Sequence, residues 1–101
     1  MRFHYNSNYK GAYRNLGYSQ YDIGAAVGSP ALGVMALKYC SGTGAGAGTG
    51  VKNNAASVTN SHPTYLGVIY YNSGYKGVAD VCAWSMNLVN TYNNNASFRW
   101  E

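Results

Sequence analysis

Apolar and polar positions alternate in short runs along this chain, and clusters of Gly, Asn and Ser separate the runs. Large apolar side chains occupy every second position at Phe3 and Tyr5, and again at Ile69 and Tyr71. A period of two is the pattern of a β-strand with one buried face. Asn and Gly allow the backbone angles that tight turns require. The pattern therefore predicts short strands joined by hairpins.

Two motifs are each repeated. Residues 3–11, FHYNSNYKG, return as residues 69–77, IYYNSGYKG, and each copy is expected to form a folded-over hairpin with its second aromatic packed on the turn. Residues 53–58, NNAASV, return as residues 93–98, NNNASF, and are expected to form Asx-type loops that lead into strands. The order of the motifs predicts one domain over 1–101, with similar halves at about 1–60 and about 66–101.

The segments between these motifs are rich in turn-forming residues. Residues 41–50 alternate Gly with small side chains, which predicts a mobile hairpin loop, and they lack the Gly-Lys-Ser/Thr ending of a phosphate-binding loop. Residues 23–39 contain interrupting Gly and Pro, which favours turns plus a strand near 34–39 over a helix. Residues 60–65 are polar and contain a proline, as expected for a linker between the halves.

Composition supports an extracellular all-β protein. The 101 residues include 11 Tyr and 2 Phe, and only 10% are charged. The formal net charge is +4, but the seven Lys and Arg residues are scattered and form no basic stripe. No run is long and apolar enough to span a membrane. We expect a secreted monomer without a nucleic-acid or membrane partner, and since residues 1–5 lack a signal-peptide pattern, an export signal would already have been removed.

The ionisable and sulfur-containing residues do not indicate an enzyme. Three acids, one of them at the end of the chain, leave little for paired-carboxylate chemistry. His4, which is expected on a strand face, and His62 fit no zinc or nucleophile spacing together with Cys40 and Cys82. The two cysteines are expected to form one disulfide between the halves, with two buried free thiols as the alternative.

The repeated motifs resemble those of known proteins. An aromatic residue followed by Tyr-Lys-Gly, ending at Gly11 and at Gly77, is similar to the opening hairpin of a βγ-crystallin Greek key, and the Asn-Asn-x-x-Ser runs are similar to the loop signature of that superfamily. Residues 5–9, 51–57 and 90–98 resemble peptidase inhibitor family I36, the Streptomyces metalloproteinase-inhibitor-like proteins. The resemblance covers nearly the whole chain apart from about residues 18–50.

This resemblance implies a sandwich of two Greek keys and inhibition of secreted zinc metalloendopeptidases through a rigid exposed loop. The corresponding segment here has no cysteine, and Pro63 is its only rigidifying residue. The candidate protease contacts are His62, Pro63, Thr64 and Tyr65, with His62 as a zinc-directed ligand. A plain linker is the alternative for these residues.

The resemblance also implies calcium, since the loop signature supplies oxygen ligands in calcium-binding βγ-crystallins. The residues that match those positions are Asn53, Asn54 and Ser57 in the first half and Asn93, Asn94 and Ser97 in the second. The final Ser of the signature is replaced by Val58 or Phe98, so a purely structural role for the Asn residues is the alternative. No other cofactor is expected.

Two functions remain open at this stage. One is a secreted inhibitor of metalloendopeptidases. The other is a non-inhibitory βγ-crystallin-type module, either antimicrobial and toxin-like or a structural protein that binds glycan or calcium. The many Tyr and Trp residues expected at the surface favour the second function, and the resemblance to the inhibitors favours the first.

Overall fold

The computed structural model describes residues 1–27, 34, 35 and 37–101, and these residues form an all-β structure as predicted. They contain nine strands and a short 3-10 helix over Ile23–Ala25. No helix among them is long and apolar enough to cross a bilayer. The strands are β1 (Arg2–Asn6), β2 (Lys10–Asn15), β3 (Ala26–Val27), β4 (Val34–Met35), β5 (Ser57–Thr59), β6 (Gly67–Asn72), β7 (Lys76–Cys82), β8 (Ser85–Asn87) and β9 (Ser97–Trp100).

Two antiparallel sheets make up most of the fold. The first sheet has the order β2-β1-β5-β8 and the second has the order β7-β6-β9, while β3 and β4 form a separate pair. The predicted strand near 34–39 is realised as β4 and as a bridge between Lys38 and Gly50. The turns expected over 28–33, and Ala36 within that strand, lie outside the described residues.

The two hairpins predicted from the first motif are present, and they share an irregularity. In the β1–β2 pair the register shifts between His4 and Asn6. In the β6–β7 pair it shifts between Tyr70 and Asn72. These positions correspond in the repeated sequence, so both copies of the motif bend the first strand at the same point.

Each hairpin tip holds an aromatic residue in a left-handed backbone conformation. The φ angles are 62° at Tyr9 and 59° at Tyr75, and Gly11 and Gly77 two positions later also have positive φ. Positive φ is costly for a bulky side chain and free for glycine. In each Tyr-Lys-Gly sequence, the tyrosine therefore adopts its positive φ at a cost in energy, whereas the glycine adopts its positive φ without one.

The halves exchange strands across the two sheets. Strand β8, from the second half, pairs with β5 in the first sheet, where Val58 lies opposite Met86. In return, Gln20 of the first half exchanges two backbone hydrogen bonds, of 2.7 and 3.0 Å, with Phe98 of β9. Each sheet is thus completed by backbone from the other half.

The hydrophobic core lies where the two sheets meet. Phe3 of β1 and Phe98 of β9 pack edge to face with their ring centroids 5.7 Å apart, and both are fully buried. Residues of both halves contribute to the same core. Its buried members are Phe3, Ala12, Leu16, Ile23, Tyr39, Val51, Ala55, Val58, Ile69, Cys82, Leu88 and Phe98.

The glycine-rich segment 41–50 is enclosed by the antiparallel bridge between Lys38 and Gly50, as expected for a hairpin loop, and hydrogen bonds tie its backbone to neighbouring residues. Its backbone is tied to the first sheet, where the Ala12 amide donates to the Ala45 carbonyl at 2.8 Å. The Tyr39 amide donates to Thr49 and the Gly48 amide donates back to Tyr39, both at 2.9 Å. The glycines are used for close approach, because Gly46 lies directly against the ring of Tyr5.

The predicted disulfide between Cys40 and Cys82 is wrong, because both cysteines are free. The Cys40 amide donates to the carbonyl of Tyr13 in β2, whereas Cys82 lies in β7. Strands β2 and β7 are outer strands of different sheets. The Cys82 thiol is buried in the core and donates to the Trp84 carbonyl at 3.4 Å. Cys82 therefore serves as a buried core residue and not as half of a disulfide.

Replacing Gly46 by Ala tests the packing of the glycine-rich segment. A Cβ at residue 46 would overlap the Tyr5 ring, whereas a Cβ at Gly42, which also has positive φ, meets nothing within 4 Å. We expect Gly46→Ala to lower the free energy of unfolding by about 1–3 kcal/mol more than Gly42→Ala. Urea denaturation of both variants measures the difference, and equal stabilities would contradict the packing described here.

Alkylation without reductant tests the state of the cysteines. Burial raises the pKa of the Cys82 thiol, so little reactive thiolate is present in the folded protein. We expect iodoacetamide to modify the half-buried Cys40 first and to modify both cysteines after denaturation, as counted by mass spectrometry. A denatured protein that reacts only after addition of a reductant would show that a disulfide exists.

Candidate functional site

The segment between the halves forms an exposed loop, referred to below as the inter-half loop (residues 60–65). It connects the end of β5 at Thr59 to the start of β6 at Gly67. The side chains from Ser61 to Tyr65 are exposed, and only Asn60 is buried. All four residues predicted to contact a protease therefore lie together on one accessible loop.

Asn60 holds both ends of the inter-half loop. Its side-chain NH2 donates to the carbonyl of Tyr65 at 3.0 Å and to the carbonyl of Cys82 at 2.9 Å. Its side-chain oxygen accepts the amide of His62 at 2.8 Å. Its backbone amide donates to Trp84. Because one buried side chain closes the loop and ties it to β7, the loop is ordered without a disulfide.

His62 organises the loop from within. Its Nδ1 atom accepts the backbone amides of Thr64 at 3.1 Å and Tyr65 at 3.2 Å. Its ring packs against those of Tyr65 and Trp100, with centroids 4.8 and 4.9 Å apart. Both hydrogen bonds need a lone pair on Nδ1.

These bonds oppose the zinc-directed role expected for His62. A neutral imidazole with a lone pair on Nδ1 carries its proton on Nε2. Nε2 is then a hydrogen-bond donor, and it could bind zinc only if the proton moved to Nδ1 and the two loop bonds were lost. The geometry instead makes His62 a positioning residue that can offer one N–H to a partner.

The two serines matched to calcium ligands are buried, and their hydroxyls form hydrogen bonds with the backbone of the two hairpins. The Ser57 hydroxyl donates to the carbonyl of Asn6 at 2.7 Å and accepts the amide of Tyr9 at 3.1 Å. In the second half, Ser97 makes the same two bonds, to Asn72 at 2.6 Å and from Tyr75 at 3.1 Å. Each serine thus fastens a folded-over hairpin to the strand beside it.

The matched asparagines also contact the protein itself. Asn53 and Asn93 have positive φ, as Asx-type loops allow. The side-chain NH2 of Asn54 donates to Gly50 at 2.9 Å, and that of Asn94 donates to Tyr92 at 3.1 Å. In the described part of the chain, no group of three or more His, Cys, Asp or Glu side chains could hold a metal ion. Calcium binding by these loops stays a prediction.

Two structural residues were not singled out from the sequence. Asn95 is fully buried and its NH2 donates to Ala55 at 2.9 Å and to Thr91 at 2.8 Å, which joins the two Asn loops. The buried Asp80 carboxylate accepts the amides of Val89 and Thr91 at 3.2 and 2.9 Å, and the Thr91 hydroxyl at 2.7 Å. The run of three asparagines was a signal for Asn95, whereas nothing local identified Asp80.

A groove of about 790 Å³ adjoins the inter-half loop on the first half, and it is called the first-half groove below. Its lining combines aromatic and neutral polar side chains with one guanidinium. The residues that line it are Met1, Arg2, His4, Tyr9, Asn15, Leu16, Gly17, Thr59, Ser61, His62 and Trp100. Ser61 and His62 therefore belong both to the loop and to the groove.

His4 is the buried polar side chain of the first-half groove, and it lies on β1 as expected from the sequence. Its Nε2 atom lies 3.0 Å from the Thr59 hydroxyl, and the Tyr9 ring packs against it with centroids 5.7 Å apart. Its Nδ1 atom has no hydrogen-bond partner among the described residues. Burial, and secondarily the charge of Arg2, lowers the pKa of His4 and favours the neutral imidazole.

Comparison of the chain with protein-family models, with curated proteins and with solved structures found no match.

Replacing Asn60 by Ala tests whether this side chain orders the inter-half loop. The change removes three hydrogen bonds and leaves the Cys82 carbonyl without its side-chain partner. We expect a loss of roughly 2–4 kcal/mol in the free energy of unfolding, with faster hydrogen exchange at the amides of Thr64 and Tyr65. Asn94→Ala is the matched control, because it removes only a local exposed bond, and about 0.5 kcal/mol is expected there. Unchanged exchange in Asn60→Ala would contradict the role of Asn60.

Proposed function

We propose that this chain is a secreted, monomeric, non-enzymatic inhibitor of zinc metalloendopeptidases, and that the inter-half loop is its contact surface. The observation that carries the proposal is the hydrogen bonding of that loop, in which Asn60 closes the base and His62 braces the interior. A loop held in one conformation loses little entropy when a protease binds it. A floppy linker, in contrast, would be cut as a substrate.

The fold supports this proposal through its strand exchange. We infer that the two halves are Greek keys of the βγ-crystallin kind, and that the second half lends a strand to the sheet of the first while the first half pairs with the second through Gln20. The placement of β8 beside β5, and the bridge from Gln20 to Phe98, fit that arrangement. The shared register shifts and the two serine-fastened hairpins fit an internal repeat of such keys. This is the fold that the resemblance to peptidase inhibitors implies.

In the proposed complex, Pro63, Thr64, Tyr65 and the following Leu66 face the protease. Tyr65, the last residue of the loop, and Leu66, which follows it, are large apolar residues with exposed side chains, and such side chains act as anchors in protein interfaces. His62 keeps Nδ1 for the loop and offers its Nε2–H to an acceptor on the enzyme. The catalytic zinc is not a target of His62 in this arrangement.

Titration against a thermolysin-like metalloendopeptidase, with subtilisin as the control protease, tests the proposed function. We expect stoichiometric inhibition of the metalloendopeptidase by the native protein. Asn60→Ala should weaken inhibition at least about tenfold, which corresponds to about 1.4 kcal/mol. Mass spectrometry should detect cleavage of that variant within residues 60–65, whereas Asn94→Ala should inhibit normally. Full protease activity at micromolar excess of the native protein, or rapid cleavage of its loop, would refute the proposal.

The alternative is a non-inhibitory βγ-crystallin-type module, antimicrobial and toxin-like or a structural protein that binds glycan or calcium. The observation that favours it is the exposure of large aromatic rings, since Trp84 is 81% exposed and Tyr18 is 80% exposed. Such rings can stack on sugars or on a partner protein. Retention of the protein on insoluble cell-wall polysaccharide, together with a lack of protease inhibition, would select this alternative.

A further inference from the structure

The outer face of the second half is filled by large side chains that stack on one another. The rings of Tyr70 and Tyr75 lie with centroids 5.8 Å apart. The guanidinium carbon of Arg99 lies 5.3 Å from the centroid of Tyr75 and 5.9 Å from that of Tyr70. Tyr21 adds a fourth group, at 5.6 Å from Tyr75.

Two of the three corresponding positions in the first half carry smaller side chains. In the repeated motifs, His4 takes the place of Tyr70 and Thr59 takes the place of Arg99, whereas Tyr9 matches Tyr75. These three residues line the first-half groove. The fold tolerates a filled surface at these positions, so the open groove comes from the choice of side chains and not from the topology.

His4 lies beneath this groove. The residue is 95% buried, with 5% of its surface exposed, and its Nδ1 atom is buried without a hydrogen-bond partner among the described residues. Its Nε2 atom lies 3.0 Å from the Thr59 hydroxyl and its ring packs against that of Tyr9, so His4 holds two side chains of the groove wall in place.

Arg2 gives the groove its charge. Its Nε atom donates to Asn15 at 3.0 Å and its guanidinium carbon lies 4.1 Å from the centroid of the Tyr13 ring, so the group is held in place. Among the described residues, its two Nη atoms have no hydrogen bond or ion pair. No Asp or Glu lines the groove. A fixed guanidinium with free Nη atoms is suited to a carboxylate.

We propose that the first-half groove binds an acidic saccharide, that is, an oligosaccharide with a carboxylate on a sugar ring. The carboxylate pairs with Arg2, the half-exposed Tyr9 ring packs against the sugar ring, and the ring hydroxyls bond to the neutral polar side chains of the lining. The groove volume of about 790 Å³ lies within the usual range of small-ligand sites. This site does not rest on the inhibitor proposal, because its carboxylate and ring contacts are Arg2 and Tyr9, which lie outside the inter-half loop, although Ser61 and His62 line the groove as well.

Titration calorimetry with two acidic probes, hyaluronan tetrasaccharide and oligogalacturonate, and one neutral probe, chitotetraose, tests the proposal. We expect at least one acidic probe to bind in the millimolar range or tighter, and chitotetraose to bind at least about tenfold more weakly. In two-dimensional NMR, the acidic probe should shift the indole N–H signal of Trp100 in the groove and leave that of Trp84 unchanged.

Three variants locate the site. Arg2→Gln should weaken acidic-probe binding at least about tenfold and leave any binding of chitotetraose unchanged. The double variant His4→Tyr with Thr59→Arg copies the filled surface of the second half and should abolish binding while the circular dichroism spectrum stays native. Trp84→Ala removes an exposed ring outside the groove and should bind normally.

Three results would overturn the proposal. The first is a lack of binding by both acidic probes up to their solubility limit. The second is equal binding of acidic and neutral probes that Arg2→Gln does not change. The third is loss of binding in Trp84→Ala with full binding in the double variant, which would place the sugar on the exposed tryptophan. Protease titration of the same variants keeps this outcome separate from that of the inhibitor proposal.

Discussion

Backbone pairing between the halves is the constraint on which the rest of the structure depends. Without β8, one side of β5 would lose its pairing partner, and without Gln20, β9 would lose two backbone bonds. Unpaired sheet edges and uncovered aromatic rings are both unfavourable in water. Since the contact of Phe3 with Phe98 joins the two sheets, each half buries its aromatic core only in the presence of the other.

Local chemistry explains which parts of the fold were predictable. The hairpins followed from alternating apolar positions and from Asn and Gly at the turns, which the left-handed residues bear out. The partners of β8 and of Gln20 did not follow, because pairing between distant segments depends on tertiary register. The contacts of the glycine-rich segment did not follow either. Its composition indicates flexibility, but its lack of side chains is what allows Gly46 to lie against Tyr5.

The inter-half loop shows how a polar side chain can replace a disulfide. An Asn side chain often accepts the backbone amide two residues later in an Asx turn, so the bond from His62 to Asn60 could be predicted from the sequence. The bond from Asn60 to Cys82 could not, because Cys82 is distant in the chain and lies on β7. The lack of cysteines in residues 60–65 therefore does not leave the loop without a brace, because Asn60 supplies it. The same limit applies to Asp80, whose partners lie beyond the next turn.

The distribution of charge connects the fold with its possible partners. Asp22 pairs with Lys52 at 3.0 Å, and Glu101 pairs with Arg99. Asp80 is buried and is used by backbone amides. Five cations have no ion pair among the described residues, and together with the negative charge of Asp80 they account for the net charge of +4. They are Arg2, Lys10, Arg14, Lys38 and Lys76.

Four of these five cations lie in the first half, and Arg2, Lys10 and Arg14 belong to its opening hairpin. Of these cations, Arg2 is the one that lines the first-half groove, and a carboxylate that approaches it finds no competing acid in the lining. At physiological salt the field of such a cation extends only about 8 Å, so it acts on a ligand that is already near the groove. Selection of an anionic partner then rests on the fixed geometry of Arg2 and not on long-range attraction.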